Sequence, residues 1–229
     1  MTPVVLAVTG LNKEARIAAG PGIAVVAGGG SRAALEARLT ALDARQLRAV
    51  VSFGIAGALD PGIRVGDVVL ATEIRTADES WHVPGSLLQA WRSRLGEADF
   101  AVVECPMTGI DAPLLTPAAK AAVWEQSGAG AVDMESHVAA AFATRHGLPF
   151  GAIRVVSDRA DHVLPPIAGL AMRPDGSVDV VGVMRSLARS PGQIPALVAT
   201  ARDAAVAFRR LGRVRRLLGL GGGSLGLDL

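Results

Sequence analysis

Cysteine is almost absent from this chain. Cys105 is the only one in 229 residues, which excludes an internal disulfide and any cysteine-rich zinc site. Tyrosine is missing altogether, and five phenylalanines with three tryptophans are too few for the stacking platforms of single-strand nucleic-acid binders. An excess of one charge is lacking too: 23 basic against 21 acidic residues leave +2, no electrostatic footprint for nucleic acid. The high pI reflects arginine, since Lys13 and Lys120 are the only lysines. No stretch approaches about 18 uninterrupted apolar residues, so no membrane-spanning helix is expected. Met1–Gly10 lacks the basic start and long apolar run of a secretory signal. What is present is apolar. Half of the residues are hydrophobic and 19% are charged, ample for a sizeable core. The expectation is a cytoplasmic, soluble α/β protein: one domain over residues 1–211, then a basic, Gly- and Leu-rich tail over 212–229.

Taken in order, Val4–Val8 reads as a buried strand ending at Thr9-Gly10, with a charged cluster, Lys13, Glu14 and Arg16, just beyond it. Ile23–Ala27 is a second strand, and Gly28-Gly29-Gly30-Ser31 turns it into a helix over Arg32–Leu42. A glycine turn before a helix can cradle an anion through backbone N–H groups, although neither the dinucleotide fingerprint nor the P-loop is matched here. Ala49–Phe53 leads into Gly54-Ile55-Ala56-Gly57-Ala58, whose glycines allow close backbone approach to a ligand. Val68–Thr72 is the next strand, and Glu73–Pro84 is polar and irregular. Ser86–Leu95 is an amphipathic helix, Phe100–Glu104 a strand and Thr108–Leu115 a loop carrying Gly109 and Asp111. Thr116-Pro117 opens a helix that Gly128 closes. Helices over Val178–Ala188 and Ile194–Leu211 complete the pattern.

The sharpest chemical signal lies in Val132–Asp161. Ala129–Val132 reads as a short strand, Ser136–His146 as a helix that Gly147 and Pro149 end, and Phe150–Val156 as another strand. As a βαβ unit the two strands lie parallel, which puts Asp133-Met134-Glu135 and Ser157-Asp158 on one sheet edge, where ligands of open α/β sheets bind. Acids after strands also cap the next helix, and Asp133 or Ser136 fits that plainer role as well.

Together these pieces resemble the nucleoside phosphorylase and nucleosidase family. Gly54-Ile55-Ala56-Gly57-Ala58-Leu59 with Val65-Gly66-Asp67-Val68-Val69 looks like its glycine turn and following strand. Val132-Asp133-Met134-Glu135 is similar to its ribose-binding motif, Arg154–Asp161 to its acid-bearing motif, and Gly10-Leu11-Asn12-Lys13-Glu14 to the opening turn of the nucleosidase branch. The resemblance spans roughly residues 4–210. It implies a three-layer α/β/α sandwich around a mixed, partly barrel-like sheet, a homodimer or larger homo-oligomer, and cleavage of the N-glycosidic bond of a purine nucleoside without a metal or cofactor. Phosphate or water would be the co-substrate. Under the resemblance Glu135 accepts hydrogen bonds from the ribose hydroxyls and Met134 packs under the sugar. Asp158, preceded by Ser157, serves the purine N7, and Glu14 orients or deprotonates the attacking water. Ile55, Ala56, Gly57, Gly109 and Asp111 complete the expected substrate site, with Gly30, Arg32 and Gly54 as phosphate candidates.

The departures are informative. Ile55 stands where the hydrolases commonly carry serine, and Thr108–Ala112 brings no aromatic residue where they place one against adenine. The phosphate-gripping arginines of the bacterial purine phosphorylases have no clear counterpart, Arg16 and Arg32 being the only substitutes. These changes resemble the hopanoid-associated phosphorylase-like branch, which releases adenine from adenosylhopane. The alternatives are a futalosine- or methylthioadenosine-type nucleosidase, or a silent nucleoside-binding protein. Five arginines at 209, 210, 213, 215 and 216 interleave with leucine and valine. As a helix, Leu211, Val214 and Leu218 share one face, which is expected to lie on an anionic membrane surface and bring the enzyme to a lipid-linked substrate.

Overall fold

The computed structural model describes residues 4–96, 98–165 and 191–218. The helix expected over Val178–Ala188 lies outside the described residues, as does the tail beyond Leu218. In chain order the elements are β1 (Val4–Thr9), α1 (Asn12–Ala18), β2 (Ile23–Ala27), α2 (Arg32–Thr40) and β3 (Leu47–Ala58). There follow β4 (Val68–Arg75), β5 (Ser80–His82), α3 (Gly85–Leu95), β6 (Val102–Gly109), α4 (Pro117–Ser127), β7 (Ala131–Asp133), α5 (Ser136–Arg145), β8 (Phe150–Asp158) and α6 (Ile194–Leu217).

Local chemistry explains most boundaries. Thr116 caps α4 by accepting from the Ala119 N–H at 3.2 Å, Pro117 fills the first helical position, and Gly128 ends the helix at φ +62°. Gly147, at φ +64°, turns the chain after α5 as its sequence position required. The stretch before α3 is more regular than its polarity suggests. β4 runs on to Arg75 and pairs with β5 as an antiparallel hairpin, Ile74 opposite Trp81.

The eight strands of the described residues form one mixed sheet. Five of them close on themselves: β3 pairs β8, β8 pairs β4, β4 pairs β6, β6 pairs β7, and β7 returns to β3. β1 and β2 extend the sheet in parallel from the first half of β3. With helices over it, this is the partly barrel-like α/β architecture that the resemblance implied. β8 is buried at all nine positions, and apart from Arg154, Ser157 and Asp158 its residues are apolar.

One expectation fails here. β7 and β8 do not form a parallel βαβ pair: β7 is antiparallel to β3, β8 is parallel to β3, and the two are not neighbours. Closure of the barrel, a long-range event, decided this against the local pattern. The carboxylate-bearing ends still meet, because Gly57 on β3 lies opposite Val132 on one side and Asp158 on the other.

The last helix also differs from expectation. α6 runs unbroken through the boundary placed at residue 211, and Leu211, Val214 and Leu218 are fully buried in the main core. The face expected to meet a membrane therefore meets the protein, where α6 packs along β8 and against α1. Three of the five clustered arginines are engaged as well. Arg215 is buried and donates through Nε to Ala18 O at 2.9 Å, at the carboxyl end of α1. Arg210 and Arg213 both reach Asp99. No helix of the described residues is long and apolar enough to cross a membrane.

Candidate functional site

The site is organised around a buried arginine. Arg154 sits mid-strand on β8 with no exposed surface, and three carboxylates surround it. Its Nε lies 2.7 Å from Asp133 Oδ2 and its Nη2 lies 3.5 Å from Glu135 Oε2. Nη2 also donates to Ser52 Oγ at 2.6 Å and to Ser136 Oγ at 3.3 Å, and Nη1 donates to Ile55 O at 3.4 Å. A buried guanidinium is tolerable only when its charge is matched this closely. Asp133 does two jobs: Oδ1 accepts from the Ser136 N–H at 3.0 Å, capping α5, while Oδ2 faces the guanidinium.

Glu14 projects from α1 into the same centre and is 1% exposed. Its Oε2 accepts from the Gly10 and Leu11 N–H groups at 2.8 and 2.7 Å, and its Oε1 accepts from the Ile55 N–H at 2.7 Å. The turn after β1 and the glycine-bearing stretch Gly54–Ala58, which continues the strand β3 where a turn was expected, thus aim backbone amides at one carboxylate. Gly54 has no room for a side chain, since a Cβ there would lie 2.5 Å from Glu14 Oε1 and collide with Arg154 Nη1. Burial raises the Glu14 carboxyl above its ordinary range, against the lowering pull of Arg154 and the three amides. Glu135 is pushed up to about 8, first by burial, with Arg154 opposing and Asp133 and Glu14 adding repulsion. A Cβ on Gly10 would lie 2.6 Å from Glu135 Oε1, so that glycine too is needed for close approach.

Asp158 ends β8. Its Oδ1 accepts from Ser157 Oγ at 2.9 Å, and its Oδ2 receives Lys120 Nζ at 2.5 Å. Lys120 comes from α4, is 1% exposed, and donates also to Arg159 O at 2.6 Å. Glu14, Glu135, Asp158 and Lys120 all face one cavity of about 180 Å³, together with Met134 and Ser157. Its remaining walls are mostly apolar, including Leu11, Ile55, Ile110, Pro113, Leu114 and Leu164.

A model of the phosphorylase superfamily matches residues 2–179. The chain belongs to the phosphorylase superfamily. Among solved structures, futalosine hydrolase of Helicobacter pylori strain 26695 superposes with a TM-score of 0.70 at 13% identity, covering 96% of this chain and 98% of that one. S-adenosylhomocysteine nucleosidase from Streptococcus pyogenes gives 0.69 at 14%, covering 96% and 98%. A mutant of the Helicobacter pylori nucleosidase MTAN, with 5'-methylthioadenosine in its active site, gives 0.66 at 16%, covering 94% and 99%. No curated protein sequence matches the chain. At these identities the structural likeness speaks for the fold, which agrees with the barrel described above.

In this phosphorylase-superfamily enzyme the structure brings together Glu14, Ile55, Ala56, Gly57, Met134, Glu135, Ser157 and Asp158 around the cavity. Other expected site residues lie elsewhere. Gly109, Asp111 and Arg32 line a larger cavity of about 750 Å³ on the α2–α5 side. Asp111 meets His137 Nε2 at 3.2 Å and Arg32 Nη1 at 3.5 Å there, because the chain leaving β6 turns outward at Gly109. Gly30 is not in the smaller cavity, and the N–H groups of Gly28 and Gly29 are spent on Thr9 O and Gly10 O. The phosphate role expected for Gly30 and Arg32 therefore has no geometric basis, since Arg32 is held by Glu36 and Asp111. Gly54 serves instead as the gap in which Glu14 and Arg154 meet.

Two residues at the centre received no role from the sequence. Arg154 had a visible signal, a lone charge in an otherwise apolar strand. Lys120 had less: it is one of two lysines among many arginines, placed in a helix that is otherwise exposed or half-buried.

Proposed function

We propose that this protein hydrolyses the N-glycosidic bond of a purine nucleoside whose 5' end is apolar, with adenosylhopane the substrate that the sequence resemblance favours. The observation that carries the reading is the convergence of Glu14, Glu135 and Asp158 on one apolar-walled pocket. Breaking such a bond builds positive charge on the sugar ring and negative charge on the leaving base. Carboxylates beside the ribose stabilise the first, and an acid at the base stabilises the second. In this reading Glu135 accepts from the ribose hydroxyls, Met134 supports the ring, and Asp158 with Ser157 addresses the purine.

Water is favoured over phosphate as the nucleophile. The amides that could cradle a phosphate, those of Gly10, Leu11 and Ile55, all donate to Glu14. Arg154 is spent on Asp133 and Glu135, and a carboxylate in the anion position repels a second anion while it can orient a water. Apolar walls at Ile55, Ile110, Pro113, Leu114 and Leu164 suit a 5' group without charge. The test is adenine release from adenosylhopane and from methylthioadenosine, each with and without phosphate. Phosphate-independent release with preference for the apolar substrate is expected, and Asp158→Asn should lower it by roughly a hundred- to ten-thousandfold. A sugar-phosphate product that forms only with phosphate would overturn the hydrolytic reading. No adenine from either substrate would leave a binding protein.

A further inference from the structure

We propose that Lys120 and Asp158 work as a single acid, with Lys120 supplying the proton that the departing purine takes. The inference rests on the purine-nucleoside reading of the site and deepens it. Three observations support it. First, Lys120 is the one buried residue of α4, a helix whose other side chains are exposed or half-buried. Where a surface helix needs a single inward anchor, an aliphatic side chain serves at far lower cost, because desolvating an ammonium is expensive. Second, the ammonium is aimed: Nζ lies 2.5 Å from Asp158 Oδ2 and 2.6 Å from Arg159 O. Third, Lys120 itself lines the pocket. An ammonium has three N–H donors, and the described residues take two of them.

The surroundings hold Asp158 in one pose. Ser157 Oγ donates to Oδ1 at 2.9 Å, Lys120 donates to Oδ2, and Gly57 stands so close that a Cβ would lie 2.9 Å from Oδ2. As an ionised carboxylate, Asp158 has no proton to give. The Lys120 ammonium supplies one. As the C1'–N9 bond breaks, its electron pair goes to the purine. A proton passes from Lys120 Nζ to Asp158 and from Asp158 to N7, so the base leaves neutral and Lys120 becomes an amine. Water delivers hydroxide to C1' and its other proton to Glu14. Glu14 then loses that proton to solvent, and Lys120 regains one from solvent. Lys120 is thus a proton-supplying and positioning residue, since its partner in the step is Asp158.

Arginine separates this role from a structural one. It keeps the charge and can keep the ion pair, but it does not give up a proton in proteins. The experiment compares the parent with Lys120→Arg and Lys120→Met on two substrates: a 5'-alkylthioadenosine, and a 4-nitrophenyl riboside with the same 5' group, whose phenolate leaves unprotonated. Circular dichroism melts report folding. Both variants should lose about a hundredfold or more in kcat for adenine release with KM little changed, and less than about tenfold on the nitrophenyl riboside. Adenine release by a folded Lys120→Arg protein within a few-fold of the parent overturns the proposal. So does an equal loss on both substrates, or failure of both variants to fold, either of which makes Lys120 purely structural. A parent that releases no adenine refutes the function proposed above and takes this inference with it, an outcome distinct from an active parent with active variants.

Discussion

Glu135 is where the chemistry of this pocket and the stability of the fold meet. Its carboxyl stands at about 8 in the folded protein against an ordinary 4.5, because burial and two neighbouring carboxylates outweigh Arg154. A carboxyl raised in this way binds a proton in the folded chain where the unfolded chain has released it. Its contribution to stability is therefore complete below the ordinary value and is lost as pH rises through about 8. Glu14, also raised by burial, acts with the same sign. Glu135→Gln removes one of these titrations, so the fall in Tm between about pH 4.5 and 8 should flatten in the variant without vanishing. Thermal melts across that range decide it, and an unchanged slope would show that Glu135 does not titrate there. Above pH about 8, where the Glu135 carboxylate is ionised, the same change removes a charge-assisted acceptor, and a loss of at least about tenfold in kcat/KM on a ribonucleoside is expected there, with a smaller loss on the 2'-deoxy analogue.

At the scale of elements, β3 does the gathering. One strand carries Ile55 N to Glu14, Ile55 O to Arg154, Ser52 Oγ to Arg154, and the register that sets Gly57 between β7 and β8. Its glycines are spacers. In Gly54→Ala the new methyl would lie 2.5 Å from Glu14 Oε1 and against the Arg154 guanidinium, both buried and neither free to retreat. We expect a loss of about 3–5 kcal/mol, the cost of breaking a buried charged group from its partners, with activity abolished at any temperature where the protein still folds. Gly57→Ala meets only the tip of Asp158 at 2.9 Å, and it should keep the fold while reducing turnover. Denaturant melts of the two variants beside the parent test this ordering. Equal midpoints would mean that β3 gives way more easily than its contacts indicate.

For the whole molecule, the end of α6 is part of the core. Truncation after Phe208 would remove Leu211, Val214 and Leu218, all fully buried, along with the anchor from Arg215 to Ala18 and Ala19. At roughly 1.5–3 kcal/mol for each buried aliphatic side chain, the loss is on the order of 5–9 kcal/mol. That is comparable with the whole stability of an ordinary domain, about 5–15 kcal/mol. The truncated protein should be unfolded or aggregated at room temperature, as read by circular dichroism and size-exclusion chromatography. A soluble truncated protein that melts like the parent would show that these residues are dispensable.

The sequence by itself determined the elements and the chemistry they carry. Alternation and apolar runs marked β1, β2, β4 and β8, while Thr116, Pro117, Gly128 and Gly147 marked helix ends, because these are local properties of backbone and side chain. Glu135 and Asp158 stood out because they follow apolar strands, while Glu14 was one of a charged cluster after the first strand, and the roles of all three came from the family resemblance. Only the tertiary structure decided how these pieces meet. The antiparallel run of β7 and its pairing with β3 follow from closing a barrel across distant segments, which no local pattern encodes. The same closure gave Arg154 its carboxylates, brought Lys120 to Asp158 from 38 residues away, and sent Asp111 and Arg32 to another cavity. The amphipathic stripe of α6 was legible, but what it faces was not: a helix with one apolar side fits a membrane or a core equally well, and the sheet supplied the core.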